Sequence, residues 1–153
     1  HLYLDVENML SVTKQTAEIA RRMGHIPRVA FLSYSNFGNP KHKRANVIKE
    51  VITKLDKAKV DFEYDGEMTS EIALNKELRQ RLYPFSKLNG DANILIMPNL
   101  ESSHITTKLI AEAGGGSLIG PVLVGGKMPA QIVSMGADVS DILNIATLGV
   151  AGY

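Results

Sequence analysis

The chain has 153 residues, of which 44% are apolar, and this is enough for one domain with a sizeable core. A formal net charge of +1 gives no electrostatic case for a dedicated nucleic-acid-binding protein. The sequence contains no cysteine, which excludes disulfides and thiolate metal sites and fits a cytoplasmic protein.

Neither a membrane span nor a signal peptide is expected. No apolar run approaches the length of about 20 residues that crosses a bilayer. The first residues, His1-Leu2-Tyr3-Leu4-Asp5, have neither the charged nor the apolar region of a signal peptide. We expect residues 1–153 to form a single domain that is a fragment of a larger protein.

The first part of the chain predicts two helices and two strands. A helix over 9–23 ends at Gly24, because glycine accepts the left-handed conformation that closes many helices. A buried strand follows over 28–33. A second strand over 61–64 ends at Asp65-Gly66, a favoured turn pair. Between the strands, a helix over 45–59 presents one apolar face, formed by Val47, Ile48, Val51, Ile52 and Leu55.

The alternation continues in the second part. A third helix over 69–82 stops before Pro84, and a strand over 92–97 ends at Pro98. A helix is predicted over 103–113, a strand over 118–124 that Gly120-Pro121 interrupts, and a short strand at 132–133. Asp138 begins a closing helix that runs to about Val150.

This order of elements predicts an α/β fold with three layers, in which a mostly parallel or mixed sheet is covered by helices on both faces. In such folds, ligands bind beyond the carboxyl ends of the strands. The rule selects four loops as candidate ligand sites: 33–40, 65–69, 98–104 and 124–131.

The first of these loops, Ser33-Tyr34-Ser35-Asn36-Phe37-Gly38-Asn39-Pro40, is rich in hydrogen-bonding groups. Its hydroxyls, amide and glycine backbone suit a phosphate at a helix N-terminus. It lacks the Gly-Lys-Ser/Thr ending of a P-loop, so a plain strand-to-helix turn stays an alternative. The cations after it, Lys41 to Arg44, either attract a phosphate or form a solvated helix start.

Other motifs are ambiguous or exclude a function. Asp138 and Asp141 have the spacing of a capping box, although Asp141 could instead serve as a general base. No serine lies in a nucleophile-elbow pattern, so a hydrolase is not expected. The four histidines have no metal-ligand spacing, and we expect no metal in this chain: His1, His25, His42 and His104.

Several stretches together resemble a known family. "RVAFLSYSNFG", "DGEM", "YPFSKLNGDANILIMPNL" and "IGPVLVGG" resemble the phosphate acetyltransferase family. The resemblance covers roughly 27–150 and is greatest to the phosphotransacetylase-like C-terminal region of bacterial hybrid malic enzymes. It implies a phosphate acetyltransferase-like fold, of which only the second half is present. The upstream subdomain and the malic enzyme domain would lie outside this chain.

The resemblance also implies that the groups needed for acetyl transfer are incomplete. The family's aspartate base falls on Asp141 and its Ser-Arg pair on Ser134-Met135, so the arginine is lost. A second arginine falls on Glu112, and a lysine is kept at Lys108. Removing one preorganised oxyanion donor typically costs about 10²–10³ in turnover. We therefore expect no catalytic residue here.

The function implied by the resemblance is regulatory. The chain would bind acetyl-CoA as an effector and allosterically control an attached NADP-dependent malic enzyme, which oxidatively decarboxylates malate to pyruvate. The expected ligand-binding residues are Ser33, Ser35, Asn36, Gly38, Lys108, Ser134 and Asp141, with Lys41, Lys43 and Arg44 as candidates for the phosphoadenosine end.

The resemblance implies two kinds of partner and leaves two alternative functions open. The chain would form a homodimer or a higher homo-oligomer. NADP and a divalent metal would bind in the malic enzyme domain and not in this chain. The alternatives are an active phosphate acetyltransferase, which uses acetyl phosphate and CoA, and a structural dimerisation module.

Overall fold

The structure is a computed structural model, and it describes residues 4–114, 118–124 and 130–151. The chain divides into two compact units at Ser103/His104, and the single domain over 1–153 stays a prediction. Within the described ranges, no helix is both long and apolar enough to cross a membrane. The elements are α1 (Val6–Arg22), β1 (Arg28–Leu32), α2 (Lys43–Ala58), β2 (Glu63–Met68), α3 (Ser70–Ala73), α4 (Lys76–Leu82), β3 (Ile94–Ile96), α5 (Leu100–Gly114) and α6 (Val139–Val150).

The first unit contains a parallel sheet with the order β2-β1-β3. In the central strand, Val29 pairs with Tyr64 on one side and with Ile94 on the other. Parallel neighbours need crossover connections, and the helices between the strands supply them. The α/β fold with a parallel sheet, predicted from the alternation of patterns, is confirmed.

Strand β1 is buried on both faces, which explains why its sequence is a continuous apolar run. Val29 and Phe31 belong to a core cluster with buried residues of α1 and α2, such as Leu55. Ala30 and Leu32 belong to a second cluster on the other face, together with residues of α3. Because side chains alternate along a strand, β1 joins helices on opposite sides of the sheet.

The turn predicted at Asp65-Gly66 is wrong, because β2 continues through both residues to Met68. Gly66 pairs with Phe31 and has a φ of 147°. A Cβ atom at position 66 would lie 2.8 Å from the carbonyl oxygen of Phe31. The glycine therefore permits a close approach of two strands, a role that its sequence context does not distinguish from a turn.

The single helix predicted over 69–82 is also wrong. Two helices, α3 and α4, are separated at Leu74 and Asn75. The side chain of Asn75 accepts a hydrogen bond from Leu78 N at 2.9 Å. Asp91 Oδ1 accepts another from Lys76 N at 2.6 Å. These side chains satisfy the first amides of α4, so a new helix begins where the pattern predicted continuity.

The strands predicted over 118–124 and at 132–133 are not strands in the structure. The side chain of Gln131 accepts a hydrogen bond from Leu123 N at 2.9 Å and donates one to Leu123 O at 3.1 Å. Thus an amide side chain takes the backbone groups that a neighbouring strand would pair with. The predicted helices over 9–23, 45–59 and 103–113 and from Asp138, and the strand over 28–33, are confirmed with small shifts of their ends, and the strand over 92–97 shortens to β3.

A buried arginine connects α4 to the segments around it. Arg79 has no exposed surface, and its guanidinium donates to Ile72 O at 2.7 Å and to Ala73 O at 3.1 Å. It also donates to the carbonyl oxygens of Leu88 and Gly90. Its Nε has no hydrogen-bond partner among the described residues. Burial lowers the pKa of Arg79, while nearby carboxylates oppose that shift.

We expect Arg79→Met to lower the free energy of unfolding by about 3 kcal/mol or more, because several buried carbonyl oxygens lose their donor. Arg81→Met is the matched control, since Arg81 is exposed on the same helix. A surface change of this kind typically alters stability by about 0.5 kcal/mol or less. Denaturant unfolding of both variants measures the difference, and equal losses would contradict the role assigned to Arg79.

Candidate functional site

The site of the first unit is built on the loop that joins β1 to α2, at the carboxyl end of β1. Phe37 and Gly38 have positive φ values of 50° and 88°. The backbones of Asn36 and Asn39 exchange two hydrogen bonds of 3.0 Å. Asn36 Oδ1 also accepts a hydrogen bond from Thr69 N at 2.8 Å, which connects the loop to the start of α3. The loop is thus a tight turn held by the end of β2.

A buried carboxylate occupies the donors of this loop. Glu67 lies at the end of β2 with 4% of its surface exposed. Its Oε1 accepts hydrogen bonds of 2.8 Å from both Ser35 Oγ and Gly38 N. Phe37 N donates to the backbone oxygen of Glu67, also at 2.8 Å. Two of the groups expected to bind an external anion are therefore directed at an anion of the chain itself.

His42 completes the cluster from the start of α2. Its Nε2 lies 2.6 Å from Ser35 Oγ and 3.7 Å from Glu67 Oε1. Because Ser35 donates its proton to Glu67, its oxygen is the acceptor for His42, and Nε2 carries the hydrogen. Ser35 has no exposed surface, so this serine and histidine pair cannot present a nucleophile to a substrate.

An open cleft of about 900 Å³ lies beside this cluster. Among the predicted ligand residues of the loop, Gly38 lines the cleft, whereas Ser33, Ser35 and Asn36 do not. The first turn of α2 contains no acidic residue, and His42 makes no side-chain cap for it. Four cations line the cleft, together with three acids: Lys41, Lys43, Lys49 and Lys87, and Asp56, Asp65 and Glu67.

One of these cations is paired within the chain. Lys87 Nζ donates to both carboxylate oxygens of Asp56, at 2.9 and 3.2 Å. The hydroxyl of Tyr64 and the ammonium of Lys87 lower the pKa of Asp56. Burial raises the pKa of Tyr64, so its hydroxyl stays protonated and donates to the same carboxylate. Lys87 is thus committed to Asp56, while Lys41, Lys43 and Lys49 are exposed.

Arg44, the remaining candidate of the basic run, is not among the residues that line the cleft. Its guanidinium donates to Pro98 O at 3.4 Å, at the end of β3. Consecutive residues of a helix point in different directions, and this separates Arg44 from Lys43, the first residue of α2. The run therefore does not act as one patch.

The other predicted site residues belong to the second unit. Asp138 and Asp141 form a capping box, with hydrogen bonds of 3.1 Å and 2.9 Å. Ser134 Oγ accepts a hydrogen bond from Gly136 N at 3.2 Å. Lys108 and Glu112 are exposed on α5, and Met135 is fully exposed. The capping interpretation of Asp141 is confirmed, and the ligand-binding roles of Lys108, Ser134 and Asp141 stay predictions.

Part of the predicted site, residues 125–129 of the fourth loop, lies outside the described residues, and so does His1, for which no site role was predicted. Within the described ranges, no group of three or more histidine or acidic residues could hold a metal ion. The role of Glu67 was not predicted from the sequence, although this residue follows Gly66 in the loop region selected at 65–69. Its position at the end of a strand adjacent to β1 was the available signal.

Comparison with known proteins identifies the family. A family model for phosphate acetyl/butaryl transferase matches residues 3–150. An NADP-dependent malic enzyme of Rhizobium meliloti is 44% identical over 142 residues, which cover 93% of this chain and 18% of that enzyme. A phosphate acetyltransferase of Staphylococcus aureus is 30% identical over 97% of this chain and 46% of its own length.

A solved structure agrees with these similarities. The EutD phosphotransacetylase from Staphylococcus aureus has a TM-score of 0.85 and 29% identity, over 99% of this chain and 48% of that chain. This chain belongs to the phosphate acetyl/butaryl transferase family. The resemblance predicted from the sequence is confirmed, including the similarity to malic enzymes. The chain spans less than a fifth of the length of the malic enzyme and about half of the phosphotransacetylase.

Proposed function

We propose that this chain is a regulatory region that binds acetyl-CoA and controls an attached NADP-dependent malic enzyme, without catalysing acetyl transfer. One observation carries the proposal: Met135 and Glu112 occur where the resemblance to the transferases aligns arginines. A thioether donates no hydrogen bond to phosphate, and a carboxylate repels it. The family fold is kept, while groups that would stabilise the transferred phosphate are replaced.

Loss of transfer chemistry does not prevent binding. Each missing oxyanion donor typically lowers turnover by about 10²–10³, whereas binding energy comes from the whole ligand. Coenzyme A carries phosphates and a long pantetheine arm, which a protein can hold far from the acetyl group. A site of this kind responds to the concentration of acetyl-CoA without consuming it.

The cleft of the first unit supports the proposal at the phosphate end of the ligand. Its volume of about 900 Å³ lies within the range of small-molecule sites. Lys41 and Lys43 line it beside the start of α2, where the helix dipole favours negative charge. We propose that the phosphoadenosine end binds there.

Regulation requires that acetyl-CoA bind two states of the complete protein with different affinities. Coupling energies of this kind are typically about 1–3 kcal/mol, or roughly 5–150-fold in affinity. We expect malate oxidation by the complete protein to change within this range when acetyl-CoA is added. A steady-state assay of NADP reduction measures it, with free acetate as the control. Unchanged kinetics at saturating acetyl-CoA would contradict the regulatory role.

A direct assay distinguishes the regulatory function from the alternative, an active phosphate acetyltransferase. The complete protein is incubated with acetyl phosphate and CoA, and thioester formation is followed by absorbance. We expect a rate several orders of magnitude below that of a transferase that keeps both arginines. Turnover at an ordinary enzyme rate, about 10 per second, would favour the transferase.

The lysines of the cleft give a second test of binding. We expect the double substitution Lys41→Ala and Lys43→Ala to weaken acetyl-CoA binding about tenfold, or about 1.4 kcal/mol, with a smaller salt dependence. Arg44→Ala is the matched control, because its guanidinium donates to Pro98 O and it does not line the cleft. Isothermal titration calorimetry measures both. A larger effect of Arg44→Ala would mean that the phosphates bind elsewhere.

Exposed apolar residues of the second unit favour a homo-oligomeric partner. Among the described residues of this unit, Ile145 alone is buried. Large apolar patches on a surface mark interaction sites. The exposed residues on α5 and α6 include Ile105, Leu109, Ile110, Ile142 and Leu143. We propose that they contribute to contacts between copies or to contacts with an upstream region of the complete protein.

Light scattering of the complete protein distinguishes these contacts. If α5 lies between copies, Leu109→Asp should reduce the molar mass from that of a dimer to that of one chain. His104→Asp, at an exposed polar position of the same helix, should not. A wild-type mass of a single chain would exclude the dimer.

A further inference from the structure

We propose that Glu67 is a positioning residue: its carboxylate holds the 33–40 loop in the conformation that presents the cleft, and so sets the affinity for ligand. The inference rests on the proposed acetyl-CoA-binding function. It assigns Ser35 and the Gly38 amide to the support of the loop and not to ligand contacts.

The geometry concentrates the support of the loop on one residue. Oε1 of Glu67 accepts from Ser35 Oγ and from Gly38 N, each at 2.8 Å. The backbone oxygen of Glu67 accepts from Phe37 N at the same distance. Three bonds therefore join Glu67 to Ser35, Phe37 and Gly38. Phe37 and Gly38 are the two residues of the loop with positive φ, and Ser35 precedes them. Few unconstrained chains adopt this conformation, so the bonds select it.

Glu67 can act as a fixed support because paired residues flank it in β2. Gly66 pairs with Phe31 and Met68 pairs with Leu32, and the register shift between these pairs leaves Glu67 as the extra residue of a β-bulge. A buried carboxylate requires hydrogen-bond donors, and here Ser35, Gly38 and the adjacent His42 surround it. The loop and the carboxylate thus stabilise each other. Without the carboxylate, a buried hydroxyl and a backbone amide both lose their acceptor.

The conformation of the 33–40 loop determines which of its groups line the cleft. Gly38, Lys41 and His42 line the cleft together with Glu67 itself. Gly38 belongs to the positive-φ turn that Glu67 holds, and Lys41 and His42 follow this turn in the sequence. If the turn samples other conformations, only a fraction of the molecules is competent to bind. The apparent dissociation constant rises by the inverse of that fraction.

Two substitutions separate hydrogen bonding from charge. Both side-chain bonds end on a single oxygen, so the carbonyl oxygen of Glu67→Gln can accept both while the charge is removed. Glu67→Ala removes the bonds as well. We expect Glu67→Ala to weaken acetyl-CoA binding to the complete protein about tenfold or more, and Glu67→Gln to stay within about threefold of wild type.

A destabilised variant serves as a control, because it tests whether a loss of stability by itself weakens acetyl-CoA binding. Leu55→Ala removes buried core packing between α2 and β1, away from the loop. It should lower the melting temperature, yet leave acetyl-CoA affinity unchanged at temperatures well below melting. Amide hydrogen exchange gives a readout that needs no ligand. Exchange at Phe37 and Gly38 should be faster in Glu67→Ala and near wild type in Glu67→Gln and Leu55→Ala.

Each outcome decides the inference. Unchanged affinity and exchange in Glu67→Ala would overturn it, and so would an equal loss of affinity in Leu55→Ala. A Glu67→Gln variant that binds as weakly as Glu67→Ala with normal exchange would assign the effect to charge and reject positioning. If the wild type binds no acetyl-CoA, the proposed function fails. Exchange at Gly38 then still decides whether Glu67 holds the loop.

Discussion

One carboxylate oxygen, Oε1 of Glu67, connects the two strands on which the site of the first unit is built. It is carried by the end of β2 and accepts from the loop that leaves β1. Burying this negative charge is favourable only with its donors in place, so the pairing of β1 with β2 and the shape of the loop depend on each other. The residue directly before this acid is Gly66, which lies against Phe31 of β1 too closely for a side chain.

A second buried charged residue, Arg79, supports a segment that lies next to the cleft. Arg79 donates to backbone oxygens on either side of it in the sequence, from Ile72 to Gly90. The segment that it organises includes Ser86 and Lys87, which donate to the buried carboxylate of Asp65. Asp65 and Lys87 line the cleft, so the packing around Arg79 supports the part of the cleft wall that these two residues form.

The fold of this chain is that of a transferase, whereas the residues that the resemblance assigns to the transfer site differ from those of a transferase. The backbone agrees with phosphotransacetylases at a TM-score of 0.85. The resemblance to the transferases implies arginines at positions 112 and 135, where this chain has Glu112 and Met135, and neither side chain can donate a hydrogen bond to a phosphate. Lysines remain at the cleft of the first unit. On these grounds we propose recognition of a charged ligand without turnover, which is the chemistry that an effector site requires.

The sequence by itself determined the elements whose signals are local. Apolar runs and helical periodicity predicted β1, α2 and the parallel sheet, and the spacing of Asp138 and Asp141 predicted the capping box. Tertiary structure decided what depends on contacts distant in sequence. Gly66 continues a strand because Phe31 lies against it, Asp91 helps to begin α4, and Glu67 takes the donors of Ser35 and Gly38. Local patterns cannot contain such information, because each partner lies 15 or more residues away.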